Sequence, residues 1–409
     1  MSSKQSSEDR DYDVIVWGAS GFTGRLVVEY LADHYPPGGD VTWAVGGRSK
    51  DKLDEILEGI VFSADRPDVI VAESHDQGSM QRLASSARVI LTTVGPYAKY
   101  GSELLEACAT AGTDYCDLCG EVQWMRQMID QHQSTAEKSG ARIVMSCGFD
   151  SIPSDIGVLR LHQLAKQVHG STCSEMTLLV RAMKGGASGG TFDSMLNAID
   201  QARQDKNIVR ILVDPYALNP ENERNGLDGR DQSKAVYNKE ARAWTAPFVM
   251  AGVNTRVVRR SNALLGYPYG KGFRYGEATL SSGRIKATLM SWGLKLFVIA
   301  SAIPLTRKMI IKRILPKPGE GPSRDERENG YFNLLLIGKL ENGSIVRLRI
   351  KGDRDPGYGS TSKMLAESAI CLAKDKVTVN GGCWTPASAL GDLLRERLES
   401  NAGLSFELE

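Results

Sequence analysis

From Tyr12 onward, short apolar runs alternate with stretches in which apolar residues recur every three or four positions. Val14–Trp17, Val41–Val45, Val69–Ala72, Val89–Val94, Asp114–Leu118 and Arg142–Met145 read as strands, the most apolar of them suited to burial on both faces of a parallel sheet. Leu26, Val27, Tyr30 and Leu31 mark a helix after the first strand, and Gly78–Ser86, Ser102–Ala111 and Gln123–Lys138 predict others. Six strands alternating with helices specify an α/β fold with a Rossmann-type doubly wound parallel sheet.

The alternation stops near Asp155. Ile156–Val168 reads as a helix, Met176–Met183 as a strand, and a further helix starts at Thr191 after the glycine-rich loop Lys184–Gly190. Residues 219–242 are polar and turn-rich, as in an exposed insertion. Gly272–Leu280, Tyr331–Leu340 and Ser344–Lys351 alternate as in an antiparallel sheet, and Ser360–Lys374 and Pro386–Leu398 close the chain as helices. The plan is a disordered tail at 1–10, a cofactor domain at 11–155, an α+β domain for substrate binding or oligomerisation at 156–359, and a helical stretch at 360–409.

Charge changes this picture little. With 50 basic and 49 acidic residues, the chain has no net field to attract nucleic acid. The opening MSSKQSSEDR has no apolar core and so does not read as a secretory signal. Seven cysteines in that context read as reduced thiols in the cytoplasm.

One segment does change it. Ala287–Leu305 is strongly apolar, interrupted by Lys295, with Arg307, Lys308, Lys312 and Arg313 behind it. A membrane span needs about 20 apolar residues, so this length is marginal. Basic residues interleaved with Met309, Ile310, Ile311, Ile314 and Leu315 suggest that 287–315 lies peripherally on a membrane or lipid surface. A helix buried in the second domain or in a homodimer interface is the alternative, and a true span is a third reading.

Candidate chemistry sits at the strand ends. Gly18, Gly21 and Gly24, with Ser20, Phe22 and Thr23 among them, join the first strand to its helix. The first glycine permits a tight turn, the second lets backbone N–H groups approach a pyrophosphate, and the third lets helix and strand close up. The second strand runs into Arg48, Ser49 and Lys50, with no carboxylate before Asp51. An acid there would bond a ribose 2′-OH, whereas Arg48 and Ser49 suit a 2′-phosphate and point to NADP(H). The plainer reading is a basic loop capping the next helix. Asp76, Thr93, Gly95 and Pro96 stand at further strand ends, where doubly wound sheets take their ligands.

Three other patterns fail. Gly186-Ala-Ser188-Gly-Gly190 imitates a nucleophile elbow, but the triad histidine of that fold follows the serine, and the last histidine here is His169. Tyr267 and Lys271 have the spacing of a reductase pair, yet Pro268 and Gly270 oppose the helix it needs. Cys116 and Cys119 lack the second ligand pair that zinc requires and read as buried thiols, so no metal is expected. Tyr97, Glu121 and Asp150 remain as catalytic candidates. Tyr97 is a proton or hydrogen-bond donor where a nicotinamide would lie, and the carboxyls serve as acid or base if burial shifts them. Asp150 and Asp155 read equally as caps of the turn and helix around Ser151–Pro153.

The runs GASGFTG (18–24), GGRS (46–49), TTVGPYAKYG (92–101), AGTDYCDLCGE (111–121) and CGFDSIPSD (147–155) resemble the saccharopine dehydrogenase-like oxidoreductases. So do KGGASGGT (184–191), TRVVRRSNALL (255–265), PKPGEGPS (316–323), GDRDPGY (352–358) and TPASALGD (385–392), the branch of the mycobacterial trans-acting enoyl reductases being the most similar. The resemblance implies an NADP-type Rossmann domain, a second α+β domain, and C-terminal helices packing back on the first. It also implies an NADPH-dependent enoyl reductase acting on a lipid- or polyketide-linked substrate in glycolipid biosynthesis. Alternatives are a reductase of an amino-acid-derived imine and a non-catalytic Rossmann-fold protein of a lipid surface. No catalytic residue transfers from a characterised enzyme, so the catalytic candidates rest on their strand-end positions alone.

Overall fold

The computed structural model describes residues 10–63, 65–185, 189–303, 306–307 and 321–409. The expectations for residues 1–9, for the loop centre at 186–188, and for 304, 305 and 308–315 lie outside the described residues. The chain divides into two compact units. One comprises Met1–Cys119, Gln127–Gly148 and Tyr358–Ala402, and the other Gly120–Arg126, Phe149–Gly357 and Gly403–Glu409.

The first unit holds strands β1 (Tyr12–Trp17), β2 (Trp43–Gly47), β3 (Asp68–Val71), β4 (Ala87–Thr92), β5 (Asp114–Asp117) and β6 (Arg142–Val144). A seventh, Gly382–Trp384, pairs with β6, and the order is Gly382–Trp384, β6, β5, β4, β1, β2, β3, all parallel. The six strands expected are thus seven, because a three-residue edge strand is too short to show a period. The order reverses between β1 and β4, the switch point at which such sheets open a crevice for ligand. Val14–Trp17 are at most 1% exposed, as a central strand under helices on both faces requires.

Helix Thr361–Lys374 belongs to this unit through one buried carboxylate. Glu367 is fully buried and accepts hydrogen bonds from the hydroxyls of Tyr30 (2.7 Å) and Tyr35 (2.8 Å) and from Arg397 (3.2 Å). A buried carboxylate persists only with such donors, so the helix of Glu367 is tied to the end of helix Phe22–His34 and to helix Gly391–Asn401. The closing helix expected from Pro386 is two, Pro386–Ala389 and Gly391–Asn401, broken where Gly391 takes φ +48.

In the second unit lie β7 (Cys173–Lys184), β8 (Val236–Asn238), β9 (Ala243–Pro247), β10 (Arg274–Ser281), β11 (Tyr331–Leu340) and β12 (Ile345–Gly352). With Leu404–Leu408 they form a sheet in the order Leu404–Leu408, β12, β11, β7, β10, β9, β8. It is mixed rather than antiparallel, since β7 and β10 run parallel. Such a pair needs a long crossover, and the chain between them supplies helices and the β8–β9 hairpin. Helix Ile152–His169 begins four residues before the expected Ile156, because Pro153 fits a first helical turn.

Residues 219–242 are not a free insertion. Helix Ala251–Leu264, which the periodicity did not reveal, buries Arg256, Arg259 and Arg260. Asp231 pairs with Arg256, and Asp228 with Arg259 at 2.5 Å. A buried guanidinium without a counter-charge is strongly unfavourable, so this polar stretch is tied down by the cations it neutralises.

Candidate functional site

The glycine turn after β1 is built so tightly that its first and third glycines leave no room for a side chain. Gly18 has φ +89, and a Cβ on it would meet the Val94 side chain at 2.6 Å. A Cβ on Gly24 would stand 2.1 Å from the Gly18 carbonyl oxygen, so the helix Phe22–His34 starts against the backbone of the turn. Gly21 is its extended N-cap, no side chain caps it, and its first turn carries no acid. Its first turn therefore brings no acid of its own to the positive dipole end, which suits a phosphate seat. Ser20 and Gly21 are exposed, and Phe22 and Thr23 are partly so. Thr93 secures the turn from the neighbouring strand end: its N–H donates to the Trp17 carbonyl at 3.0 Å and its hydroxyl to that of Gly18 at 3.2 Å.

At the end of β2, Ser49 accepts from the Lys52 N–H at 3.4 Å, and Lys50 pairs with Asp54 at 2.7 Å. The capping reading of this loop thus holds for Ser49. Arg48 is exposed and has no ion pair among the described residues. These residues fit a phosphorylated dinucleotide: a turn whose Gly18 and Gly24 leave no room for a Cβ, a helix N-terminus with no side-chain cap or acid, and at Arg48 a guanidinium with no ion pair among the described residues in place of an acid. Asp76 is exposed and caps helix Gln77–Ser85 through the Gly78 N–H at 3.1 Å. Gly95 and Pro96 form the turn that leads into Tyr97.

The three catalytic candidates differ sharply. Tyr97 is 3% exposed; its hydroxyl donates to the Thr92 carbonyl at 3.1 Å and accepts from the Leu118 N–H at 3.3 Å. It stitches the ends of β4 and β5 together, and its proton is engaged by backbone. Glu121 is buried and accepts from the Ser194 hydroxyl at 2.8 Å. Asp150 has no hydrogen bond from its carboxyl among the described residues, and desolvation pushes its pKa up to about 6. Of the capping alternative, Asp150 makes no cap bond among the described residues, while Asp155 stands in the first turn of its helix. Helix Ile152–His169 has Ser151 as N-cap with no side-chain cap bond, and Asp155 is buried, accepting from the Ser261 hydroxyl at 2.5 Å.

One carboxyl escaped the sequence reading. Glu277 on β10 is 3% exposed and accepts from Ser154 (2.7 Å), Tyr275 (2.8 Å) and Asn254 (2.9 Å), while burial raises its pKa to about 7. It lines a cavity of about 210 Å³ with Asp228, Asp231, Arg259 and Tyr275. The available signal was a lone acid at an inward position of an alternating strand. Of the rejected patterns, Cys116 and Cys119 are buried free thiols, and Tyr267 sits outside any helix with φ +64.

Comparison with known proteins agrees with the cradle. Residues 14–144 match the saccharopine dehydrogenase NADP binding domain. A Mycobacterium tuberculosis protein with the provisional name trans-acting enoyl reductase is 40% identical, with 97% of each chain covered. A trans-acting enoyl reductase of Mycobacterium ulcerans is 36% identical over 96% of this chain and 97% of its own. The apo saccharopine dehydrogenase (L-Glu forming) of Saccharomyces cerevisiae shares the fold, with a TM-score of 0.54 at 11% identity, over 97% of this chain and 99% of its own. The chain belongs to the saccharopine dehydrogenase-like family that includes the trans-acting enoyl reductases, and its parallel-sheet unit carries that family's NADP-binding domain.

Proposed function

We propose that this chain is an NADPH-dependent enoyl reductase whose substrate is an α,β-unsaturated acyl thioester held on a carrier or lipid. The observation that carries the proposal is full-length likeness, at 40% identity, to a protein named for that reaction. The word trans-acting in the relatives' names supports a substrate borne by another molecule.

Reducing an enoyl thioester takes a hydride at the β carbon, a hydrogen-bond donor for the developing enolate, and a proton for the α carbon. Bound at the glycine cradle and Arg48, NADPH supplies the hydride. Asp150 is the group we assign to the proton. Its carboxyl, six residues past β6, has a pKa of about 6, and no neighbour among the described residues commits it to the charged form. An aspartyl group with an ordinary pKa keeps only about one proton in a thousand at pH 7, so this shift makes the acid usable. Glu121, oriented by Ser194, positions substrate, and Tyr97 holds the strand ends in register rather than giving up its proton.

The test is NADPH oxidation with crotonyl thioesters. Turnover that depends on the thioester is expected, and Asp150→Asn lowers kcat by about 100-fold or more while NADPH affinity stays within about twofold. Because the protonated form is the active one, wild-type kcat/KM falls as pH rises through about 6. Asp150→Asn lacks that limb. NADPH oxidation indifferent to any enoyl thioester overturns the reading, and an unchanged pH profile in the variant removes Asp150 from it.

A further inference from the structure

Helix Arg284–Ala302 turns its large apolar side chains outward. Ala287, Ser291 and Ser301 are its buried residues, all small, and they face the rest of the second unit. Ile285, Leu289, Trp292, Leu296, Ile299 and Ile303 follow one another at alternating steps of four and three and are each between 48% and 79% exposed. That spacing gathers them into a single stripe, almost opposite the buried face. Lys286 and Lys295 project roughly a quarter turn to either side of the stripe, where long cationic side chains reach up from an apolar surface to an interface. The Lys295 ammonium lies 5.4 Å from the centre of the Trp292 ring.

The helix is nonetheless firmly placed in its own unit. Phe297 packs edge-on against Phe192 with centroids 5.9 Å apart, Arg284 stacks over Trp244 at 5.5 Å, and Arg203 donates to the Ala302 carbonyl at 2.8 Å. The outward stripe is therefore a formed surface and not the inner face of a helix that has come away.

We propose that this stripe docks on an anionic lipid surface, the helix lying along the headgroup region and not crossing it. Charge selects the partner. Between Glu277 and Glu320 the sequence has eight Lys and Arg residues and no Asp or Glu, in a chain whose net charge is only +1. A second copy would bring its own Lys286 and Lys295 to this face, where the helix offers no carboxylate to meet them, and helix pairs at such spacing rely on opposite charges beside the seam. Apolar insertion and cationic attraction together meet the two-signal requirement for stable attachment to a membrane surface. Charge opposes a span: the 19 residues would be long enough, but Arg284, Lys286 and Lys295 lie inside the helix.

The experiment is flotation of the full chain with phosphatidylcholine vesicles, with and without about 30% phosphatidylglycerol. The chain floats with the anionic vesicles and not with the neutral ones, and salt releases it. Leu289→Glu with Leu296→Glu weakens the apparent affinity by about 100-fold or more, and Lys286→Ala with Lys295→Ala by about tenfold. Both double variants keep NADPH affinity and melting temperature, since the changed residues are exposed. Three results overturn the proposal: no flotation with anionic vesicles, flotation that survives the two glutamates, or binding that resists alkaline carbonate. A dimer in solution that the two glutamates dissolve assigns the stripe to a second copy and also overturns it.

Discussion

Helices Phe22–His34 and Arg284–Ala302 are made of similar apolar residues and present them in opposite directions. In the first, Leu26, Val27, Val28 and Leu31 are at most 8% exposed and face the parallel-sheet unit's core. In the second, alanine and serine face inward and leucine, isoleucine and tryptophan face out. The second helix is the more apolar, yet total hydrophobicity does not decide which way its large side chains point. What does is which face carries the small residues, because small residues let a helix sit close while large ones seek an apolar partner. The first helix thus finds its apolar partner inside the protein, and the second leaves its large apolar side chains exposed, where the proposed lipid surface would meet them.

The sharpest way to break the comparison is at a glycine in each helix. An added Cβ on Gly24 would lie 2.1 Å from a backbone carbonyl oxygen that has nowhere to go, whereas one on Gly293 meets nothing within 4 Å. Gly24→Ala is expected to abolish NADPH binding in a fluorescence titration and to cost about 3 kcal/mol or more in urea unfolding. Gly293→Ala is expected to stabilise by about 0.5–1 kcal/mol, since it only improves helix propensity. Equal effects at the two sites would mean that the cradle is looser than its geometry.

Leucines give a smaller contrast of the same kind. Leu31 is fully buried and Leu296 is 59% exposed. Leu31→Ala therefore loses about 2–5 kcal/mol through burial and cavity terms, while Leu296→Ala changes vesicle-free stability by less than about 0.5 kcal/mol. A cost above about 1 kcal/mol at Leu296 would show that the outward stripe is covered by protein in solution.

The first unit was largely legible because its signals are local. β1, its glycine spacing and the following helix are neighbours in sequence, and each of the six expected strands appears within a few residues of its reading. What was missed depends on partners far along the chain. Gly382–Trp384 becomes a strand only against β6, and Glu367 is held by Tyr30 and Tyr35. Asp228 and Asp231 read as solvated until Arg259 and Arg256 are brought to them. Asp150 and Glu121 illustrate the limit at the candidate site. Sequence placed both near strand ends but did not reveal that Ser194 engages one and that burial raises the pKa of the other.

The smallest expected effect lies beside the cradle, at an exposed cation that has no ion pair among the described residues. Lys50 is paired with Asp54 and Ser49 caps the next helix, so Arg48 is the group left to meet a 2′-phosphate at the end of β2. Arg48→Ala is expected to weaken NADPH binding by about 10- to 100-fold, the worth of a charge-assisted contact to phosphate, and to leave NADH binding unchanged. Stability should move by less than about 0.5 kcal/mol, because an exposed side chain without an ion pair contributes little to folding. The two nucleotides differ only in that phosphate, so equilibrium titration with both separates a local contact from a disturbed cradle. A parallel loss of NADH affinity would assign Arg48 to the turn's architecture, and an unchanged NADPH affinity would leave selection of the phosphate to another residue.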